Sequence, residues 1–297
     1  MPNTSFPGQD DAIWIPSGCA TLAVPQAFGP RILWFGVADG TNLLYLADES
    51  KLQLGGEGYR FYGGHRLWIA PESPARSMQP DNDPVTVTEV GGAFTFRSNV
   101  DQFGVQKSLE IMPLGSESYS VVHTVTNHSA YDLELAAWAL TMMKSGTTVH
   151  FPQPEFERHV DRLTPNRPLV TWGYTKIGDP RWTWGDQLAS LRQDSTLGPV
   201  KIGTFLIQGY AAAESDGHLL VKKFSVSPGE AHTDMGCNFE TFTNEDMIEI
   251  ETLSPLVKLA PGEALVHVET WRLYIDTTLS GTDAERAKQL AELAAAI

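Results

Sequence analysis

Cysteine is nearly missing from this 297-residue chain: Cys19 and Cys237 stand far apart, in no CxxC or CxxH spacing. That excludes a disulfide framework and a thiolate zinc site, and fits reduced thiols in a cytoplasmic protein. Positive charge is scarce as well. The 21 Lys and Arg residues face 36 Asp and Glu, for a net charge of −15, and no basic run interrupts that background. Phosphate backbones and anionic membrane surfaces are therefore repelled, and nucleic acid is excluded as a partner. No stretch approaches the roughly 18 unbroken apolar residues of a membrane helix, and residues 1–12 carry neither a basic n-region nor an apolar h-region. Neither a secretion signal nor a membrane partner is expected.

What the chain has instead is strand-forming sequence broken by turns. Hydrophobic residues make up 42% and charged residues 19%, enough for a sizeable core, and no low-complexity linker divides the chain. One domain over residues 12–297 is expected, behind a flexible leader at 1–11. Short apolar segments such as Thr21–Val24, Arg31–Phe35, Val85–Val90 and Val105–Met112 read as a meander, with Asp39-Gly40 as its clearest hairpin turn. Tyr119–Thr126 and Tyr131–Met142 read as a long hairpin around Asn127-His128-Ser129-Ala130, with His123 as a satisfied structural histidine. Further strands follow at Lys201–Tyr210, His218–Val226, Cys237–Phe242, Met247–Leu253 and Ala264–Ile275. Thr282-Asp283-Ala284-Glu285 is then a capping box that opens a C-terminal helix. The pattern predicts an all-β sandwich or barrel with one short terminal helix.

Three places carry chemistry. In Phe61-Tyr62-Gly63-Gly64-His65-Arg66-Leu67-Trp68-Ile69-Ala70-Pro71-Glu72, strand alternation puts His65, Leu67 and Ile69 on one face and Arg66, Trp68 and Ala70 on the other. Either His65 or Arg66 thus reaches a cavity. The alternative is a plain strand whose Arg66 pairs with Glu72. Residues 146–195 are rich in proline and aromatics, and Asp179-Pro180-Arg181-Trp182-Thr183-Trp184 sets flat rings beside hydrogen-bonding groups, as a sugar platform or as an aromatic cluster sealing one end of the fold. His150, Glu155, Glu157 and His159 in the same stretch lack metal-ligand spacing, so no metal is expected there. Finally, Glu240 on one strand and Glu249 and Glu251 on the next share polar faces, in a register that sets Glu240 opposite Glu251. Like charges so opposed must be solvated, paired with a cation, or used for acid–base work.

The Gly63–Glu72 block, with Arg31-Ile32, Gly40, Asn42–Leu44, Ile248–Leu256, Leu259–Glu263 and Glu269-Thr270-Trp271, resembles the galactose mutarotase-like (aldose 1-epimerase-like) superfamily, most closely its DUF4380 branch, from about Gly18 to Ile275. The resemblance implies a β-supersandwich whose concave sheet binds a small-molecule sugar or glycoside without a cofactor. A glutamate base takes the anomeric hydroxyl proton in such enzymes and a histidine acid protonates the ring oxygen. Glu251 matches the base. The place of the acid reads Ala137-Trp138-Ala139-Leu140-Thr141, which leaves His65 as the expected acid. Arg66, Glu72, Glu240 and Arg181 are then expected to organise the ligand, with Trp68, Trp138 and Trp182 as apolar walls. A non-catalytic sugar-binding module and a lyase or hydrolase acting on oligosaccharides are the alternatives.

Overall fold

The computed structural model describes residues 5–48 and 58–297. Their strands form three antiparallel sheets. A small one contains β1 (Ile13–Ser17), β2 (Ala20–Val24) and β4 (Trp34–Val37). The second runs β12 (Val170–Thr171), β15 (Val200–Thr204), β18 (Phe239–Thr243), β19 (Ile248–Leu253), β10 (Leu133–Met143), β5 (His65–Ala70) and β3 (Arg31–Ile32), with β20 (Val257–Leu259) also beside β10. The third has ten strands: β13 (Trp182–Trp184), β14 (Leu188–Arg192), β11 (Thr148–Pro152), β16 (Tyr210–Ser215), β17 (His218–Phe224), β21 (Ala264–Tyr274), β9 (Ser118–Asn127), β8 (Val105–Gly115), β7 (Ala93–Arg97) and β6 (Thr86–Val90).

The two large sheets pack face to face. Ile248 and Ile250 of β19, Leu67 and Ile69 of β5 and Ile202 of β15 meet Leu109, Val121, Trp271 and Leu273 of the opposite sheet in one dry core. Each such side chain contributes about 1.5–3 kcal/mol when fully buried. The eight-stranded sheet is buried on its other face too, where Trp68, Trp138, Leu140 and Leu253 form a second apolar cluster with Tyr59. Strand alternation decides which residues go where: β5 sends Leu67 and Ile69 inward and Trp68 and Ala70 outward. Gly64, at φ 72°, starts that strand because a Cβ there would lie 2.2 Å from the Ile32 carbonyl oxygen.

The capping box forms as expected, and α2 (Asp283–Ala295) lays Leu290 and Ala294 against Leu188 and Leu219 of the ten-stranded sheet. Among the described residues no helix is long and apolar enough to cross a membrane.

Three expectations change. Asp39-Gly40 turns the chain, but β4 pairs with β2, and the Asn42 side chain accepts the Phe35 N–H at 3.0 Å in place of a hairpin partner. β9 and β10 belong to different sheets, so Asn127–Ala130 crosses between layers rather than closing a hairpin. Its geometry is fixed by the Asn127 amide, which donates to the Tyr131 and Leu259 carbonyls at 2.7 and 2.9 Å. Residues 5–11 do not trail from the fold: Phe6 is buried against Trp14, and Gln9–Asp11 form a 3-10 turn.

Candidate active site

Register places most of the expected residues on one surface. Glu240 stands opposite Glu251, as the polar faces predict, Glu251 opposite Leu140, and Leu140 opposite Arg66. One row of side chains thus crosses β18, β19, β10 and β5 on the outer face of the eight-stranded sheet. The neighbouring row brings Trp68 opposite Trp138 and Trp138 opposite Leu253, with the two indoles edge to face at 5.4 Å. Above them lies a hollow of about 270 Å³, floored by Trp68, Trp138 and Leu140 and walled by Phe61, Tyr174 and Phe242. That is slightly below the usual ligand-cavity range of roughly 300–1,000 Å³ and suits a ligand of monosaccharide size.

Charge in the hollow is tightly arranged. Lys201, from β15, reaches Glu240 Oε2 at 2.6 Å and Glu251 Oε2 at 3.0 Å, and lies 4.7 Å from the centre of the Trp138 ring. The Trp138 indole N–H donates to the same Glu251 oxygen at 2.8 Å. Burial opposes the charge on Lys201, but the Glu251 and Glu240 carboxylates outweigh it and hold the ammonium protonated well above the usual lysine range. Glu249 faces the hollow from the next outward position of β19. Burial first, and the Glu251 charge second, push its carboxyl up to about 8. Burial does the same to Glu240, also to about 8, with Lys201 opposing the shift and Glu251 adding to it. Gly203 makes room for this cluster: a Cβ there would meet Cys237 Sγ at 2.5 Å and Glu240 Cγ at 3.4 Å. Arg66 donates to the Tyr59 hydroxyl at 2.6 Å and stacks 4.0 Å from the Trp68 ring centre. Glu72 is exposed at the rim, and among the described residues no Arg66–Glu72 ion pair forms.

Three expected site residues lie elsewhere. His65 does not share the hollow with Glu251. It is paired across from Thr141, whose other strand neighbour Ile250 packs in the dry core, so the imidazole points between the sheets while Arg66 points out. Arg181 is buried beside Asp179 at 2.9 Å and donates to the Gly198 carbonyl at 2.7 Å, in a separate cavity. Trp182 packs in the main core and stacks on Trp184 at 4.9 Å. Both fall on the outer edge of the ten-stranded sheet, because β13 pairs with β14.

His65 belongs to a second polar cluster that closes on itself. His123 Nδ1–H donates to the His267 carbonyl at 3.0 Å, so its Nε2 accepts from His65 Nε2–H at 2.8 Å. His65 Nδ1 in turn accepts from the Thr141 hydroxyl at 2.8 Å, and Thr141 accepts from Lys222 at 2.8 Å. Lys222 pairs with Glu269 Oε1 at 2.7 Å, while Trp271 N–H donates to Glu269 Oε2 at 2.7 Å. Every imidazole is neutral in this pattern, and burial lowers the proton affinity of His65, His123 and His267. His65, His123 and Glu269 also put three potential metal donors within 4.8 Å of one another, the one such group among the described residues. Lys222 already neutralises that carboxylate, and a dication beside its ammonium would be repelled.

Lys201 and Tyr174 were not singled out from the sequence, and Glu249 was read there only as one member of the acidic face. A signal for Lys201 existed: a lone lysine inside the otherwise apolar run Val200-Lys201-Ile202 needs a buried partner.

No protein-family model and no curated protein matches the sequence. Solved structures do match. A candidate aldose 1-epimerase from Escherichia coli K12 aligns over 89% of this chain and 99% of its own, at 14% identity and a TM-score of 0.58. A galactose mutarotase-like protein from Lactobacillus casei aligns over 89% and 100%, at 14% identity and a TM-score of 0.57. A TPR-domain containing protein from Parabacteroides distasonis matches 91% of this chain with 48% of its own, at 14% identity and a TM-score of 0.59. At these identities the likeness is one of fold: this chain is a galactose mutarotase-like β-sandwich with a short C-terminal helix.

Proposed function

We propose that the chain binds a small sugar or glycoside in the hollow on the outer face of the eight-stranded sheet and moves a proton on it with a carboxyl of β19. One observation carries this. Arg66 lines the hollow, and its Nε is buried without a hydrogen-bond partner among the described residues. Natural folds satisfy nearly all such atoms, and a polar ligand in the hollow supplies what this one lacks. Trp68 and Trp138 give the hollow an apolar floor for the C–H side of a pyranose, and Arg66, Glu249 and Lys201 offer hydrogen bonds to its hydroxyls. The resemblance to aldose 1-epimerases supports interconversion of anomers as the reaction, the free thiols fit a cytoplasmic protein, and the Arg31-Ile32, Gly63–Glu72, Ile248–Leu256 and Glu269–Trp271 blocks together support the DUF4380 branch.

The test is proton NMR of anomeric exchange with a panel of hexoses and hexuronates, alongside a tryptophan-fluorescence titration. Exchange above the buffer rate supports an enzyme. Saturable quenching without exchange supports a sugar-binding module, a reading favoured by the position of His65 outside the hollow. Neither quenching nor exchange with any sugar refutes both.

A further inference from the structure

We propose that Glu249 is the catalytic carboxyl of this site, acting as proton donor and proton acceptor at once, and that Glu251 behind it is a positioning residue. The assignment rests on the sugar-site reading above. Glu249 lines the hollow, whereas the Glu251 oxygen that is bonded lies under Lys201 at 3.0 Å and the Trp138 indole at 2.8 Å. The two glutamates are alternate residues of β19 and face the same side. Lys201 is engaged by Glu240 and Glu251, and among the described residues no lysine or arginine nitrogen lies within 4.0 Å of the Glu249 carboxyl. The charged and titratable groups around it are Glu251 on its own strand, Glu240 on β18, Lys201 on β15, Arg66 on β5, and Glu72, Tyr174 and Asp246 from the loops. Burial and the Glu251 charge favour the neutral acid at Glu249, with Arg66 and Lys201 opposing them.

A neutral carboxyl can open a pyranose alone. Its O–H gives a proton to the ring oxygen while its carbonyl oxygen takes the proton of the anomeric hydroxyl. The bond from C1 to the ring oxygen breaks with its electron pair going to that oxygen, and the hydroxyl oxygen becomes the aldehyde carbonyl. The two sugar oxygens share C1 and are about as far apart as the two oxygens of a carboxyl, so one group spans both. The acid is regenerated with its proton on the other oxygen, and the reverse steps on the opposite face of C1 give the other anomer. No imidazole is needed, which accounts for a hollow without one.

Exchange rates of wild type, Glu249→Gln, Glu249→Asp and Glu251→Gln on the panel decide the matter, each with fluorescence binding and a urea unfolding curve. The expected result is a roughly 10²–10⁴-fold loss of exchange in Glu249→Gln with sugar binding kept, and partial recovery in Glu249→Asp, which also serves if the amide variant does not fold. Glu251→Gln should lose less exchange than Glu249→Gln and move its alkaline limit to lower pH, because the charge that holds the proton on Glu249 is gone. Full exchange in Glu249→Gln, or loss only in Glu251→Gln, overturns the assignment and leaves the sugar reading intact. Wild type without exchange on any sugar overturns the assignment too. If it still binds sugar the site stands as a binding module, and if it binds none the site reading falls as well.

Discussion

Lys201 is the counter-charge on which the outer cluster depends, and replacing it with methionine tests that directly. Methionine keeps most of the length and apolar stem of the side chain but removes the ammonium that sits 2.6 Å from Glu240 and 3.0 Å from Glu251. Breaking a buried pair from one side costs about 3–5 kcal/mol, since an uncompensated charge remains. Whole domains have only about 5–15 kcal/mol to lose. The loss must also depend on pH. Without the ammonium, one more carboxyl of the cluster holds a proton in the folded state that it would lose on unfolding. A raised folded pKa makes its contribution absent below the unfolded value and increasingly unfavourable as pH rises. One extra bound proton steepens the fall by about 1.4 kcal/mol per pH unit, or about 2.7 kcal/mol between pH 5.5 and 7.5. Urea unfolding of both proteins across that range measures it. Parallel stability curves, however far apart, would refute Lys201 as the cation that balances these carboxyls.

His65→Gln should lower stability by roughly 1–3 kcal/mol for each bond left unmade to Thr141 and His123, while anomeric exchange stays within about two-fold; a tenfold loss in a folded variant would place the imidazole in the chemistry after all. Gly203→Ala forces a Cβ to 2.5 Å from Cys237 Sγ, and should cost about 1–3 kcal/mol in a thermal or urea melt; an unchanged midpoint would mean that β15 and β18 yield easily. Stability should peak near pH 6.5, measured by urea midpoints from pH 5 to 9. Below that pH the unfolded chain takes up protons on His65, His123, His150 and His267, whose folded affinities are lowered, and above it the unfolded chain releases protons from Glu240 and Glu249, whose folded affinities are raised to about 8.

Much of the fold was legible because it rests on period-two alternation. The Glu240–Glu251 register, the C-terminal capping box and the two faces of His65–Ala70 all follow from local pattern. The placement of His65 was legible too, since a histidine that shares its face with Leu67 and Ile69 follows them into the core. The family resemblance calls for an imidazole at the site, but strand alternation sends this one inward. Asn127–Ala130 was not legible as a crossing between sheets, because the same turn residues serve a hairpin or an arch, and only the partners Leu259 and Gly104, distant in sequence, decide. Arg181 and Trp182 looked like ligand groups for a similar reason. Whether an Arg meets a ligand or an Asp two residues away depends on which sheet edge the strand joins.

The two polar clusters share one motif. Lys201, Glu251 and Trp138 outside, and Lys222, Glu269 and Trp271 inside, each combine an ammonium on a carboxylate with an indole N–H on that same carboxylate and an ammonium over the indole ring. They differ in what remains. Inside, Lys222 and Thr252 fill Glu269 Oε1 and the Trp271 indole fills Oε2, and Lys222 has Thr141 as a further acceptor. Outside, Lys201 and Trp138 both sit on Glu251 Oε2, and among the described residues no lysine, arginine, hydroxyl or indole donates to Glu251 Oε1 or Glu240 Oε1. If the triad were only a device for stabilising a β-sandwich, both copies should be completed, because each orphan oxygen costs roughly 1–3 kcal/mol. The inner copy shows that this sequence can complete one. The outer copy is less complete and is flanked by Arg66 and Glu249, which line the hollow, and the sugar-site reading accounts for that asymmetry.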